Sequence, residues 1–316
     1  MPRSVVEERR PNASPSSRGD EIVVSKAEHH SVLLPFQELA ARTRASLKWF
    51  DLDDEGRIRS DSADEVITER TKIVAVTHVG NTTGAITDIA PIIRRAHEVG
   101  AAFILDACQS VPHLKVDFHA LDVDFAAWSA HKMYGPTGVG FLYGKRDMLE
   151  ALPPANFGGS MVELAWMDQE ARYMEPPARF EAGTQPVAQV VAAGVAADWL
   201  MSIGMENLEA HERTITDELL ALGDIEGVRI LGPRSNERRI GTIAFEVEGV
   251  HPHDVGQFID AQGIAIRVGH HCAQPVHRHF GVYASNRASS GIYNAVEDAQ
   301  ALIETVKQVR PFFGVK

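Results

Sequence analysis

Four apolar runs constrain this chain more than any other feature: "KIVAVTHV", "AAFILDA", "VDFAAWS" and "GVGFLYG". Each is short, β-branched or aromatic, and without a polar alternation, so each is read as a strand buried on both faces. Between the first two lies "TDIAPIIRRAHEVG", a helix with a threonine N-cap and a terminal glycine. Upstream, "EIVVS" is a short β-rich run, "LLPFQELAARTRA" has helical spacing, "SLKWFDL" is strand-like and "DDEG" is a turn. Apolar strands alternating with helices predict an α/β fold with a mostly parallel sheet covered by helices.

The pattern changes near residue 186. "PVAQVVAAGVAADWLMSIG" reads as a long apolar helix and "MENLEAHERTITDELLALG" as an amphipathic one. "RRIGTIAFEVEG", "GIAIRVG" and "RASSGIY" follow as strands, with helices at "HPHDVGQFIDAQG" and "NAVEDAQALIETVKQV". This mixture predicts a smaller C-terminal α+β domain at 201–316, after a large domain at 19–200. Residues 1–18 are polar, proline-containing and aperiodic, and are expected to be a disordered tail. A length of 316 residues suits one large domain or two smaller ones.

Composition excludes some functions. Asp plus Glu is 43 against 31 for Lys plus Arg, a net charge of −12, which argues against nucleic acid as the main ligand. No apolar run is long enough to cross a bilayer, and the first residues lack the apolar core of a secretory signal. Two cysteines do not make a disulfide framework. The expectation is a cytoplasmic, reducing location.

In open α/β sheets, ligands bind beyond the carboxyl ends of the strands. Four segments fall there: "KAEHHS" with His29 and His30, Asn81 after "VAVTHVG", "ILDACQS" with Asp106 and Gln109, and "SAHKMYGPTGVG" with His131 and Lys132. Taken singly, Asp106 is as well explained as a cap, Lys132 as a solvated amine, the His29–His30 pair as loop residues and Cys108 as a small packing residue. Together they suggest more. Lys132 follows an apolar strand, and a desolvated lysine is a usable nucleophile toward carbonyls. A lysine Schiff base with an Asp partner is the protein's half of pyridoxal phosphate chemistry.

The stretch "RVGHHCAQP" places Cys272 behind two histidines, in a run of Gly, Ala and Pro that is not expected to be helical. Its flanks predict an exposed loop rather than a core. Zinc is the other candidate, since Cys and His are ligands, yet no Cys-x-x-Cys or spaced His pair accompanies it.

"DACQS", "SAHKMYGPTGVGFLYG", "RFEAGTQ", "RVGHHCAQP" and "RASSGIYN", in this order, resemble the class V aminotransferase-like enzymes, and most of all the SufS-type (group II) cysteine desulfurases. The resemblance runs from about Gly19 to "RPFFG". It implies the pyridoxal phosphate fold type I, with Lys132 as the Schiff-base lysine, Asp106 as partner of the pyridine nitrogen and Gln109 at the phenolic oxygen. His29 matches the ring-stacking histidine, Ser129 and His131 match phosphate ligands, and Thr184 matches the phosphate contact supplied by the second subunit of a homodimer. Asn81 and Arg287 match the groups holding the substrate carboxylate. Arg267 falls beside the mouth of the site, and Cys272 matches the nucleophile that becomes a persulfide. The implied reaction takes sulfur from L-cysteine, leaves L-alanine, and passes the persulfide to an acceptor protein of SufE/SufU type for iron–sulfur cluster assembly.

The resemblance also implies a departure. Family members carry, before the strand at "DEIVVS", a segment with a Gly-Thr-Thr-like turn that grips the cofactor phosphate. "MPRSVVEERRPNASPSSR" has no such turn, so weaker cofactor binding and uncovered apolar surface are expected. A selenocysteine lyase or another class V enzyme, and an inactive truncated remnant, stay open as alternatives.

Overall fold

The β-branched run Thr71–Thr77 forms β3, in the interior of the larger sheet of this computed structural model, which describes residues 19–315. The expectation for residues 1–18 lies outside the described residues. Six strands make the sheet: β1 (Glu21–Ser25), β2 (Ser46–Phe50), β3, β4 (Ala102–Asp106), β5 (Phe125–Ser129) and β6 (Gly140–Gly144), in the order β2-β1-β3-β4-β5-β6. All neighbours are parallel except β5 and β6.

Side chains of alternate residues enter opposite layers, as the two-residue period of a strand requires. Val23, Val74, Val76, Phe103 and Leu105 pack on Ile92, Ile93 and Ala96 of helix α3 (Ala90–Glu98), beside the short α2 (Ala63–Val66). Ile22, Ile73 and Ala75 point the other way, against Phe36, Leu39 and Ala40 of α1 (His30–Thr43). Double coverage explains why these strands carry continuous apolar runs. Burying a side chain such as Phe103 contributes about 1.5–3 kcal/mol.

The start of α3 differs from expectation. Thr87 does not cap it; the hydroxyl donates to the Thr77 carbonyl at 2.9 Å, fastening the end of β3, and the helix begins three residues later with Pro91 in its first turn. Proline suits that position because its missing N–H has no helical acceptor there. Gly100 takes φ +73° just beyond the helix, as expected of a terminal glycine.

After β6 come α4 (Arg146–Ala151), the ribbon of β7 (Val162–Leu164) and β8 (Arg172–Tyr173), and then α5 (Val187–Ile203) and α6 (Met205–Leu219). The second sheet is wholly antiparallel, in the order β11-β12-β10-β9, from β9 (Val228–Leu231), β10 (Thr242–Val247), β11 (Arg267–Gly269) and β12 (Ser285–Ser289). Its helices are α6, α7 (Pro252–Asp260) and α9 (Val296–Phe312), whose Ile215, Val255, Leu302 and Val306 pack with Ile243 and Phe245. The strand expected at "RASSGIY" is β12, which starts two residues earlier and stops at Ser289, opposite the first residue of β10.

The two sheets meet at the loop "GNTTG". Gly84 takes φ +70°, and a Cβ there would lie 2.4 Å from the Thr242 carbonyl, so only glycine lets this loop approach β10. The Gly84 carbonyl accepts from the Ile240 N–H at 2.9 Å. Asn81 is thereby carried to the border of the two sheets.

Candidate active site

Because β1, β3, β4 and β5 run parallel, their carboxyl ends share one edge of the sheet. Asp106 closes β4 and accepts from the Cys108 N–H at 2.9 Å. Ser129 closes β5, and Lys132 ends the 3-10 turn Ala130–Lys132 that follows it. Lys132 is half-buried and forms no ion pair among the described residues. His29, half-buried at the N-cap of α1, accepts from the Ser31 N–H through Nδ1. Burial and then the Lys132 charge hold its imidazole below the usual histidine range, while Asp106 opposes them. His29, Asp106 and Lys132 are therefore close enough to feel one another's charge.

Cys108 joins this group. Its sulfur lies 3.9 Å from Ser129 Oγ, and burial, reinforced by Asp106, pushes the thiol up to about 11. It is a neutral thiol beside the cluster rather than the simple packing residue expected from sequence. Near enough to Asp106 to feel its charge, Glu28 is fully buried. Ser25 Oγ and the Thr77 N–H donate to one of its oxygens, the latter at 3.0 Å, while the other has no partner. Burial raises this carboxyl to about 8, despite those two donors, and Asp106 adds to the rise. Glu28 escapes sequence reasoning; its only signal is an acidic residue three positions beyond a buried strand.

The second group surrounds Cys272. The stretch from Arg267 to Pro275 is ordered by its surroundings: β11 takes Arg267–Gly269, and Gln274 and Pro275 begin the short helix α8 (Gln274–His279). The expectation of an exposed, non-helical loop is corrected on both counts. His271 and Ala273 are buried, Cys272 is half-buried, and Pro275 starts a helix because proline is tolerated in the first turn. His271 and Cys272 both adopt left-handed backbone, at φ +50° and +58°. Such geometry costs a non-glycine residue about 1–2 kcal/mol and persists only where surroundings impose it.

Those surroundings are specific. The His30 N–H donates to the Cys272 carbonyl at 2.8 Å, Asn81 Nδ2 donates to the His271 carbonyl at 2.6 Å, and the Ala273 N–H closes the turn onto the His270 carbonyl at 2.9 Å. Arg267 Nη2 points at the Cys272 sulfur, 3.8 Å away. Burial holds the His271 imidazole down at about 3, with help from the Arg287 charge, so the ring is neutral.

Arg287, on β12, faces Arg267 across the ladder and donates through Nη1 to the Asn81 carbonyl at 2.9 Å. Burial, with Arg267 beside it, lowers its guanidinium to about 10. Its Nε has no partner, and among the described residues no carboxylate pairs with it. Like charges on facing strand positions cost stability, and among the described residues no carboxylate offsets this pair.

The structure thus brings together Lys132, Asp106, His29 and Ser129 in one group, and Cys272, Arg267, Arg287 and Asn81 in a second. His29 and His30 join the two: His29 senses Lys132, Asp106 and Arg267, and His30 holds the Cys272 backbone. Gln109 is half-buried next to Cys108, whereas His131 and Thr184 are exposed; no side-chain hydrogen bond among the described residues ties these three to the others. Also among the described residues, no group of three or more His, Cys, Asp or Glu is placed to hold a metal ion.

A mostly parallel sheet covered by helices, with polar side chains gathered beyond the carboxyl ends of its strands, is the frame of an α/β enzyme. Residues 10–302 match the aminotransferase class-V family, and the chain belongs to it. It is 48% identical over 297 residues to the probable cysteine desulfurase 2 of Mycobacterium leprae, covering 94% of this chain and 70% of that one. Identity to the cysteine desulfurase of Haloferax volcanii is 42% over 300 residues, covering 94% and 69%. The crystal structure of the cysteine desulfurase CsdA from Escherichia coli superposes with a TM-score of 0.89 at 35% identity, covering 96% of this chain and 75% of that one.

Proposed function

We propose that this chain is a pyridoxal phosphate-dependent cysteine desulfurase that takes sulfur from L-cysteine onto Cys272 and releases L-alanine. One observation carries the reading: His29 lies within reach of the charges of the strand-end Lys132 and Asp106, while the next residue, His30, holds the backbone of the left-handed turn that presents Cys272.

The residues fit the cofactor. Among the described residues Lys132 has no ion pair to break, Asp106 retains an oxygen for a protonated ring nitrogen, and half-buried His29 offers a flat neutral ring. Lys132 would carry the cofactor covalently, with Gln109 at its phenolic oxygen and Ser129, His131 and Thr184 of a second subunit at its phosphate. Pyridoxal phosphate supplies an electron sink that weakens bonds at and next to the amino-acid Cα.

The chain's own residues do the rest. Arg287, with its unpartnered Nε, and Asn81 receive the substrate carboxylate. The Lys132 amine takes the Cα proton and returns one as alanine leaves. The Cys272 thiolate attacks the substrate sulfur: a sulfur–sulfur bond forms, the sulfur–Cβ bond breaks, and its electron pair goes to the carbon that is protonated to the alanine methyl group. Cysteine and a thiol go in, and alanine and a persulfide come out, with no external oxidant. Arg267 steadies the sulfur.

The persulfide passes to an acceptor of SufE/SufU type for iron–sulfur cluster assembly, in the cytoplasm, where free thiols persist. A homodimer accounts for Thr184, which is exposed here, and for the apolar exposed face of α5, with Val187, Val191 and Val195 more than half exposed.

The test is direct. Borohydride reduction after adding pyridoxal phosphate is expected to fix the cofactor on Lys132, and L-cysteine to yield alanine. Cys272→Ala should keep the cofactor absorbance and lose persulfide formation. Labelling that spares Lys132, or undiminished sulfur release from Cys272→Ala, overturns the assignment.

A further inference from the structure

The His271–Cys272 turn is held from above by Asn81 and His30, and from below by a chain of side chains that the reaction does not touch. His277, on α8, places Nδ1 3.0 Å from the Ala273 carbonyl. A carbonyl only accepts, so Nδ1 carries the proton and Nε2 of the neutral ring is an acceptor. Ser285 Oγ, fully buried on β12, lies 2.9 Å from that Nε2 and 3.0 Å from His271 Nε2. Its one proton goes to His277, so it must accept from His271, whose proton is thereby fixed on Nε2. His271 Nδ1 is left buried without a partner, as this order requires.

We infer that His277 and Ser285 are positioning residues for Cys272, which lock one tautomer and one orientation of His271 and so hold the left-handed turn that aims the thiol. Every link runs in one direction, from the His271 ring through the Ser285 hydroxyl to the His277 ring and the Ala273 carbonyl. The chain starts on the residue before Cys272 and ends on the residue after it. Burial keeps both imidazoles neutral, since it lowers His277 as well as His271. Removing the hydroxyl or the far ring frees His271 to rotate and the turn to relax, without touching Lys132, Asp106 or Arg287. This role rests on the desulfurase reading, and the test separates the two.

Ser285→Ala, His277→Leu and His277→Gln are to be compared in the full chain. Glutamine retains an acceptor for Ser285, and leucine does not. In single turnover with L-cysteine, persulfide formation on Cys272 is expected to fall about tenfold or more in Ser285→Ala and His277→Leu, the scale of a slightly misplaced reacting group. KM for cysteine and cofactor absorbance should stay at the wild-type value, and His277→Gln should recover most of the rate. Losses that track KM or cofactor content, or a glutamine variant as poor as leucine, overturn the role in favour of plain packing. If the wild type forms no persulfide, the desulfurase reading fails, and iodoacetamide decides on the relay alone. Alkylation of Cys272 should then rise about threefold or more in Ser285→Ala as the half-buried thiol is released; an unchanged rate overturns it.

Discussion

The side-chain amide of Asn81 donates to the carbonyl of His271 at 2.6 Å, across 190 residues of sequence. It ties the loop that follows β3 directly to the cysteine turn. Replacing Asn81 by alanine leaves that buried carbonyl without its donor, which costs about 1–3 kcal/mol. Urea unfolding is expected to show a loss of that size, with persulfide formation on Cys272 reduced further than stability alone explains. A variant with wild-type stability and rate would show that the bond holds nothing in place.

Arg287 is predicted to act on substrate affinity. Its guanidinium has an unpartnered Nε and no carboxylate partner among the described residues. Arg287→Met removes a charge-assisted contact to the substrate carboxylate of about 1.5–3 kcal/mol, which corresponds to a rise in KM for L-cysteine of roughly 10–150-fold. Steady-state kinetics with cysteine checks this, and cofactor absorbance should not change.

Stability should peak in mildly acidic solution. Buried His271 and His78 are held near 3 and 4, so the unfolded chain binds protons that the folded one refuses below the ordinary histidine value of about 6.5. Their contribution is complete above that value and is lost as the pH falls toward 3. Glu28 behaves oppositely. Its carboxyl is raised to about 8, so the folded chain keeps a proton that the unfolded one gives up, and stability falls as pH rises from 4.5 to 8. Between 4.5 and 6.5 the two histidines outweigh the one acid, and above 6.5 Glu28 alone sets the slope, at up to about 1.4 kcal/mol per pH unit. Urea midpoints across this range should therefore peak near pH 6.5. Glu28→Gln, which keeps the shape and the acceptor, should flatten the alkaline limb.

The exposed face of α5 is predicted to be a subunit contact. Val191 and Val195 are 62% and 65% exposed on a helix that is otherwise almost wholly apolar. Val195→Arg should convert a dimer to a monomer in light scattering; an unaffected dimer would place the contact elsewhere.

Sequence composition made the large sheet legible because strands buried on both faces are mainly apolar, as β3 and β4 are between Ile73 and Val76 and between Ala102 and Leu105, whereas β5 is apolar but leaves Ala127 exposed. Lys132 and Asp106 were legible for a related reason, since polar groups directly after such strands stand out. The region around Cys272 was not. Whether Gln274 and Pro275 begin a helix depends on Ala273 and Val276 reaching the core beside Phe280, a contact far from any local pattern. The four residues of β9 and the six of α8 are too short to show a period. The role of Thr87 was misread because a hydroxyl before a helical run looks like a cap, whereas the nearby end of β3 offered a better acceptor. Cys108 and Glu28 owe their character first to burial, which no local pattern shows, and then to the charge of Asp106, two residues from Cys108 but far in sequence from Glu28.

The turn at Cys272 takes its supports from distant parts of the chain: His30 from the start of α1, Asn81 from the loop after β3, and Ser285 from the middle of the second sheet. That sheet in turn rests on Leu302 and Val306 of α9. Ser285 follows Cys272 by 13 residues and Val306 by 34, so during synthesis the thiol is made shortly before the last of the groups that support its turn. The chain carries its own timer, under which a reactive sulfur site is completed only when nearly all of the polypeptide has emerged and folded around it.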